Sequence, residues 1–298
     1  MADAPIAIVR TVAELRARIG AWRTQGQRVA LTPTMGALHG GHLSLVRLAR
    51  AHADKAVASV FVNPTQFAPH EDFDAYPRDE NRDALLAARV GVDVLWIPDV
   101  EHMYPEGFAT TVEVTGELTD VLEGDPEQRG GSHFRGVTTV VAKLFNSVQP
   151  DVAYFGRKDA QQAVVIQRMV RDLDFPVRIE VLPTVREEDG LALSSRNAYL
   201  DPEQRERAAA ISRALRAADQ AAQEGETSTG ALIELAIKEL RNAGIEPDYV
   251  EARSAEDLSP IAEINGRPVL VAVAARVGRA RLIDNVVIAP PTTETTEA

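Results

Sequence analysis

The chain has 298 residues, of which 45% are hydrophobic and 26% charged, and its formal net charge is −12 at pH 7. Such a charge repels nucleic acid and anionic lipid over most of a surface, and no apolar run approaches the roughly 20 residues that cross a bilayer. The absence of cysteine excludes disulfides, thiolate nucleophiles and cysteine-based zinc sites. Since the opening MADAPIAIVR lacks the pattern of a secretory signal, we expect a cytoplasmic protein that acts on small molecules, without nucleic-acid or membrane partners.

Short apolar runs alternate with helix-like segments through the first part of the chain. The predicted strands are Val29–Leu31, Val57–Val62, Val92–Ile97, Val152–Phe155 and Val177–Leu182. The predicted helices are Val12–Arg23, His42–Ala53, Glu80–Val90, Val137–Val148 and Ala160–Asp172. This alternation predicts an α/β, Rossmann-like domain with a mostly parallel sheet, whose ligands bind at the carboxyl ends of the strands.

The pattern changes after about Leu182. Two long helices are predicted at Pro202–Glu224 and Thr229–Ala243, and strands follow at Tyr249–Ala252, Pro268–Arg276 and Arg281–Ile288. The pair Gly278-Arg279 between the last two strands is typical of a tight hairpin. We therefore predict a catalytic domain over residues 1–184, a smaller α+β domain over 185–290 that acts as a lid, and a flexible tail over 291–298.

The segment PTMGALHGGH follows the first predicted strand and precedes a helix. Gly36, Gly40 and Gly41 let an anion approach the backbone, and the amides at a helix start favour negative charge. His39 and His42 are three residues apart, a spacing at which both imidazoles can face a phosphate. The alternatives are an ordinary glycine-rich turn with surface histidines, and a zinc site, which would need a third ligand.

Three further polar clusters follow predicted strands or join the two domains. Gln66 in NPTQF offers an amide that both donates and accepts, although a glutamine on a loop more often faces solvent. Lys158 and Asp159 end the fourth predicted strand, where they either meet phosphates or form a solvated helix cap. Ser195 and Arg196 in LSSRN suit a phosphate or, alternatively, a capped interdomain loop. The chain contains no dinucleotide-binding fingerprint, P-loop or nucleophile elbow.

Six segments occur together in one order, namely PTMGALHGGH, NPTQF, DAYPR, SHFRGV, YFGRKDAQQ and REEDGLALSSRNAYL. In order and spacing they resemble the pantothenate synthetase family, also called pantoate-β-alanine ligases, over roughly residues 28 to 290. That family shares the H-x-G-H signature of nucleotidylyltransferase-like enzymes, which stands here at His39–His42. The resemblance implies ATP-dependent condensation of pantoate with β-alanine through a pantoyl-adenylate, with release of pyrophosphate and AMP.

The resemblance also implies roles for the motif residues. The implied catalytic residues are His42, His39, Lys158 and Arg196, with His42 in the family's proton-donor position. The implied ATP-binding residues are Met35, Gly36, Ala37, Leu38, His39, Gly40, Gly41, His42, Gly156, Arg157, Lys158, Asp159, Val185, Leu193, Ser194, Ser195 and Arg196. Gln66 and Gln162 fall at the pantoate-binding positions, and Gln66 is shared with β-alanine.

The expected partners of this site are ATP with Mg²⁺, pantoate and β-alanine, and the family resemblance implies a homodimer. The protein ligands of the metal stay open, with Asp83 as one candidate, and residues 128–133 are a candidate flap over the adenylate. Two other functions also stay open. One is nucleotidyl transfer by another enzyme with the H-x-G-H signature, and the other is regulation by a nucleotide-binding protein that has lost turnover.

Overall fold

The computed structural model describes residues 6–68 and 71–289. No helix in this described part of the chain is both long and apolar enough to cross a membrane. The predicted flexible tail at 291–298 lies outside the described residues. The predicted boundary between residues 184 and 185 stays a prediction.

The described residues form two compact units, and each unit includes a short stretch of chain that lies between two parts of the other unit in the sequence. The first unit contains the described residues up to Val185, together with Leu193–Ser195. The second contains Arg186–Ala192 and the described residues from Arg196 onward. The backbone therefore passes from one unit to the other three times within twelve residues, from Val185 to Arg196.

The first unit is built on a six-stranded parallel sheet with the order β1-β4-β3-β2-β5-β6. Its strands are β1 (Ala7–Val9), β2 (Val29–Thr34), β3 (Lys55–Val60), β4 (Val94–Trp96), β5 (Val152–Gly156) and β6 (Arg178–Leu182). From β2 the chain proceeds to β3 and β4 on one side, and from β5 to β6 on the other. The strand order therefore reverses between β2 and β5, which is where open α/β sheets bind their ligands.

Helices cover both faces of this sheet. They are α1 (Val12–Arg23), α2 (Gly40–His52), α3 (Glu80–Arg89), α4 (Val100–Met103), α5 (Gly131–Val148) and α6 (Ala160–Asp172). Val29 and Leu31 of β2 share a core with α1 and α5, whereas Ala30 packs with Leu45 and Ala49 of α2. Because neighbouring side chains of a strand point to opposite faces, β2 is apolar at consecutive positions and fully buried over Val29–Leu31.

The second unit packs two helices against an antiparallel sheet with the order β7-β8-β9. Its elements are α7 (Pro202–Gln223), α8 (Thr229–Asn242), β7 (Pro247–Ser254), β8 (Val269–Val277) and β9 (Ala280–Ile288). Val277 pairs with Ala280, and positive φ occurs only at Gly278 of the two residues between them, as in a type II′ hairpin. The predicted α/β domain followed by a smaller α+β domain is confirmed.

A buried ion pair anchors the hairpin over residues 186–192 within the second unit. The Arg186 guanidinium donates to both carboxylate oxygens of Asp284, with Nη1–Oδ2 at 2.5 Å and Nη2–Oδ1 at 3.0 Å, and Nη1 also donates to the Gly190 carbonyl. The Asp284 side chain is 3% exposed and that of Arg186 is 28% exposed. The pair therefore fixes this hairpin against β9 through a bidentate contact whose carboxylate is shielded from water.

Candidate active site

A glycine-rich loop leaves β2 at the point where the strand order reverses. Gly36 and Ala37 have positive φ values of 85° and 49°, so two successive residues adopt the left-handed backbone that favours glycine at the first position. The amides of Ala37 and Leu38 both donate to the Asp83 carboxylate, at 2.9 and 2.7 Å. This contact from the first turn of α3 holds the loop in its unusual conformation.

Asp83 is therefore a support for the loop, and both of its oxygens are engaged by backbone amides. Asp83 is 1% exposed. Burial raises the pKa of its carboxyl group, while the hydrogen bonds from the amides of Leu38 and Ala37 partly offset that effect. A carboxylate with both oxygens occupied in this way is a poor candidate for the metal ligand considered from the sequence.

Asp83→Asn is expected to lower the free energy of unfolding by about 1–3 kcal/mol, because the amide keeps one acceptor and turns an N–H group toward a buried backbone N–H. Urea denaturation measures the change. Asp174→Asn is the matched control, since Asp174 is exposed and asparagine accepts its positive φ. Equal stability of Asp83→Asn and the parent would contradict the supporting role.

The two motif histidines meet at the start of α2. His39 is the N-cap, and its Nδ1 accepts a hydrogen bond from the Gly41 amide at 3.2 Å. Because Nδ1 accepts, the proton of a neutral His39 sits on Nε2. The ring centroids of His39 and His42 are 4.0 Å apart, and the buried Nδ1 of His42 has no hydrogen-bond partner in the described part of the structure.

Both imidazoles are neutral near pH 7. Burial lowers the pKa of His39 to about 4, with Lys158 adding to the effect and Asp159 opposing it. Burial also lowers the pKa of His42 well below its usual value, assisted by His39 and Lys158. Each ring therefore offers one N–H group to an anion and carries no charge before the anion arrives.

The second predicted nucleotide segment leaves β5, the neighbour of β2. Gly156 ends the strand, and a 3₁₀ turn over Arg157–Asp159 leads into α6. Lys158 Nζ lies 3.5 Å from Asp159 Oδ1, and the Asp159 side chain makes no capping hydrogen bond although it occupies the N-cap position. Since β2 and β5 are paired and parallel, this turn and the glycine-rich loop emerge at the same edge of the sheet.

Gln66 ends a 3₁₀ turn over Pro64–Gln66 that follows β3. Its residue is 8% exposed, so the solvent-facing alternative considered from the sequence is wrong. Gln66 Nε2 donates to Met35 Sδ at 3.2 Å, and Gln66 Oε1 accepts from Asn63 Nδ2 at 3.0 Å. The amide that is predicted to bind the acid is thus hydrogen-bonded to Met35, a residue of the loop after β2.

The two adjacent glutamines of α6 differ in their contacts. The Gln161 side chain is buried, donates to the carbonyls of Leu118 and Val121 and accepts from the Glu123 amide. The Gln162 side chain is half-buried and makes no hydrogen bond within residues 6–68 and 71–289. Of the two, Gln162 therefore keeps its amide available for a ligand, and its contact with pantoate stays a prediction.

Part of the third predicted segment belongs to the first unit. The Leu193 amide donates to the Val185 carbonyl at 3.0 Å. Ser195 Oγ donates to the Ala37 carbonyl and accepts from Tyr76 Oη, each at 3.4 Å. Ser194 lies between them in the chain, whereas Arg196 belongs to the second unit, so its place in the site stays a prediction.

Several supporting residues were not identified from the sequence. Asn63 is 1% exposed and accepts from Tyr104 Oη at 2.7 Å while donating to Gln66, and Tyr76 is 6% exposed beneath Ser195. An asparagine before proline at a strand end is one available signal for such a role, because it indicates a fixed turn. The tyrosine contacts join residues far apart in the chain and leave no local pattern.

Comparisons with known proteins point to one family. The family model described as pantoate-beta-alanine ligase matches residues 7–287. A pantothenate synthetase from Paramagnetospirillum magneticum is 55% identical over 95% of this chain and 98% of that protein. The crystal structure of pantothenate synthetase from Thermus thermophilus is similar with a TM-score of 0.88 at 50% identity, covering 94% of this chain and 99% of that one.

A further crystal structure, of pantoate-beta-alanine ligase from Francisella tularensis, is described as complexed with beta-gamma ATP and beta-alanine. It is similar with a TM-score of 0.79 at 32% identity, covering 94% of this chain and 97% of that one. The family model spans both units of the fold, and the relatives match over nearly their whole length. The chain belongs to the pantoate-beta-alanine ligase family.

Proposed function

We propose that the chain condenses pantoate with β-alanine at the expense of ATP, through a pantoyl-adenylate. The observation that carries this proposal is the meeting of three elements at one edge of the sheet: the glycine-rich loop with its two histidines, the turn that bears Lys158, and the buried amide of Gln66. The first two suit the phosphates of a nucleotide, and the third suits a hydroxylated carboxylate. The Francisella tularensis relative, described with an ATP compound and β-alanine, supports the same assignment.

In the first step, a carboxylate oxygen of pantoate attacks the α-phosphorus of ATP. A new O–P bond forms, and the bond from the α-phosphorus to the pyrophosphate oxygen breaks with its electron pair leaving on pyrophosphate. We propose that Lys158, the N–H groups of His39 and His42, and Arg196 stabilise the charge that develops on the phosphate oxygens. The protein's contribution is positioning and electrostatics, since no side chain forms a covalent bond.

In the second step, the amine of β-alanine attacks the acyl carbon of the adenylate. The C–N bond forms, the C–O bond to AMP breaks, and the amine loses a proton. The mixed anhydride reacts with water as well as with amines, so the site has to exclude water while the adenylate waits. We propose that Gln66, the buried amide next to the glycine-rich loop, contacts both acids, and that Gln162 contacts pantoate.

We propose that Mg²⁺ accompanies ATP and is held mainly by the phosphates. In the described residues, no group of three or more His, Asp or Glu side chains could hold a metal ion, and both oxygens of Asp83 accept amides. These residues fit a metal bound by substrate oxygens better than a dedicated protein cage. The ion would neutralise phosphate charge, and no step above depends on a protein ligand to it.

We also propose that the protein is a cytoplasmic homodimer. The family resemblance supports the dimer, and the absence of cysteine is compatible with a reducing compartment. Sedimentation equilibrium of the purified protein tests the dimer, and a single species with the mass of one chain would contradict it.

Exchange of labelled pyrophosphate into ATP, measured without β-alanine, tests the proposed function. We expect exchange that requires pantoate, followed by AMP and pantothenate when β-alanine is added. Absence of exchange by folded protein that binds ATP would contradict the proposal and favour the regulatory alternative. Exchange driven by CTP instead of ATP would favour another nucleotidyl-transferring enzyme.

Gln162→Ala is expected to raise the KM for pantoate about tenfold or more, because a lost hydrogen bond to a charged group costs about 1.5–3 kcal/mol, and to leave the KM for ATP nearly unchanged. The neighbouring Gln161→Ala is the matched control. It removes the three contacts to residues 118–123, so we expect it to lower the free energy of unfolding instead. Equal rises of both KM values in Gln162→Ala would argue against a pantoate contact.

A further inference from the structure

The 3₁₀ turn Pro64–Gln66, called here the amide turn, is contacted by a network of residues that the mechanism above does not use. The network consists of Glu71, Arg129, His133 and Gly136. From the sequence, residues 128–133 are a candidate flap. In the structure, Gly131–His133 instead form the start of α5, and the side chains of Arg129 and His133 point to the amide turn.

The backbone carbonyl of Gln66 accepts two hydrogen bonds from this network. His133 Nδ1 lies 2.8 Å from the carbonyl oxygen, and Arg129 Nη2 lies 3.1 Å from it. His133 is 7% exposed, so its contact is shielded from water. Two donors on one buried carbonyl fix the peptide unit that carries the Gln66 side chain, whose own amide is fixed separately by Asn63 and Met35.

Arg129 is itself locked in place by a carboxylate. Its Nε and Nη2 atoms donate to Glu71 Oε1 and Oε2 at 2.7 and 2.9 Å, and the side chains of Arg129 and Glu71 are only 15% and 17% exposed. Its Nη1 lies 3.0 Å from His133 Nε2. The guanidinium therefore uses four of its five N–H groups on three partners, which leaves the group little freedom to move.

These contacts require a neutral His133. The ring donates from Nδ1 to the Gln66 carbonyl, so Nε2 is the acceptor that faces Arg129. Burial lowers the pKa of His133 to about 4, assisted by Arg129, while the Gln66 carbonyl, Glu123 and Glu71 oppose the shift. At neutral pH the ring is uncharged, and the hydrogen bonds to carbonyl and guanidinium form together.

Gly136 lets α5 touch the amide turn directly. A Cβ atom at this position would lie 2.3 Å from the carbonyl oxygen of Thr65 and 2.7 Å from the backbone nitrogen of Gln66. The Gly136 carbonyl accepts from Asn63 Nδ2 at 3.1 Å. Because His133 and Gly136 are three residues apart on one helix, the same face of α5 supplies both contacts.

We propose that Arg129, His133 and Gly136 are positioning residues that set the place of the Gln66 amide, and that they determine how well the carboxylic acid substrate binds and is oriented. This inference rests on the proposed function, in which Gln66 contacts that acid. Their contacts concern the amide turn and not the glycine-rich loop, so the nucleotide should be affected much less. A displacement of about 1 Å at a reacting centre can cost as much as 100-fold in rate.

Pantoate-dependent exchange of pyrophosphate into ATP tests the proposal with Arg129→Met and Gly136→Ala. We expect the KM for pantoate to rise about 10- to 100-fold in each, and the KM for ATP to change by less than about threefold. In Gly136→Ala the new methyl group displaces the amide turn without removing any polar group. A rise in the KM for pantoate in this variant would therefore come from the position of the amide turn and not from a lost charge. Thermal unfolding of each variant reports whether it is folded.

Arg23→Met is the matched control. Arg23 donates to the Asp151 carboxylate at 2.7 Å and to the Gln149 carbonyl, which is the same chemistry as at Arg129. It lies at the end of α1 and contacts the residues just before β5, at the opposite end of the sheet from the site. We expect it to lose stability without any change in the KM for pantoate.

The outcomes separate this inference from the proposed function. No exchange by the parent protein overturns the function. An active parent with folded variants whose KM for pantoate is unchanged, or rises no more than the KM for ATP, overturns the inference alone. If Arg129→Met does not fold, Glu71→Gln replaces it, because that change keeps the side-chain volume and one oxygen that can still accept the Ala68 amide, and it weakens the anchor of Arg129. A parent-like KM for pantoate there would likewise overturn the inference.

Discussion

His42→Ala is expected to slow formation of the adenylate by about 10²–10³-fold while the protein stays folded. The residue lies in the first turn of α2, against His39 and beside the positive charge of Lys158, where a neutral imidazole can donate to a phosphate oxygen. Loss of one such donor in a preorganised site typically costs about 2.7–4 kcal/mol of transition-state stabilisation. Single-turnover measurement of adenylate in a quenched-flow experiment, with ATP and pantoate saturating, gives the rate of this step alone.

His52→Ala is the matched control for that experiment. His52 is the last residue of the same helix, is exposed, and lies 3.4 Å from Tyr154 Oη through its Nδ1. We expect the parent rate of adenylate formation from it. A parent-like rate in His42→Ala itself, with the helix intact, would remove His42 from the mechanism.

Asp284→Ala is expected to lower the free energy of unfolding by about 3–5 kcal/mol. The change leaves the Arg186 guanidinium largely enclosed and without its bidentate carboxylate, and an uncompensated charge in such a place is costly. Since Arg186 fixes the hairpin over residues 186–192, the loss should also expose that hairpin to proteases. Urea denaturation measures the first effect, and limited proteolysis with peptide mapping measures the second.

Glu246→Ala serves as the control in the same unit. Arg241 donates to both oxygens of Glu246, at 3.0 and 2.6 Å, so the geometry resembles that of the Arg186 pair, but both side chains are more than 60% exposed. We expect no measurable change in stability from it, because water screens and solvates an exposed pair. If the two substitutions cost the same, burial would not be the cause of the large effect at Asp284.

Much of the fold can be predicted from the sequence because the strands are continuous apolar runs. Helices α1 and α6 begin and end where the sequence predicted, and the two-residue hairpin at Gly278 has the predicted form. β1 escaped prediction because it is an edge strand of three residues. The start of α5 also differs from the prediction, because the sequence predicted Val137 and the helix begins at Gly131. The glycines in this segment hide the first turn of the helix from sequence analysis, although packing of Gly136 against the amide turn stabilises it.

The site was harder to predict from the sequence wherever a residue supports another that is far away in the chain. The loop with His39 and His42 and the turn with Lys158 stand next to strands, so parallel topology alone predicts that they meet. Asp83 binds amides 45 and 46 positions earlier in the chain, and His133 binds a carbonyl 67 positions earlier. No local periodicity encodes such pairs, and their chemistry becomes evident only once the helices are packed.

The repeated passage of the backbone between the two units limits how this protein can be divided. A polypeptide truncated after Val185 would lack Leu193, whose amide bonds to the Val185 carbonyl, and Ser195, whose hydroxyl reaches the Ala37 carbonyl. Such a fragment would retain all six parallel strands and yet carry an incomplete wall beside the glycine-rich loop. Expression of the first unit by itself would need residues 193–195 attached covalently. A split-protein reporter cut at this junction would need the same addition, because the intact chain supplies these residues when its backbone returns to the first unit.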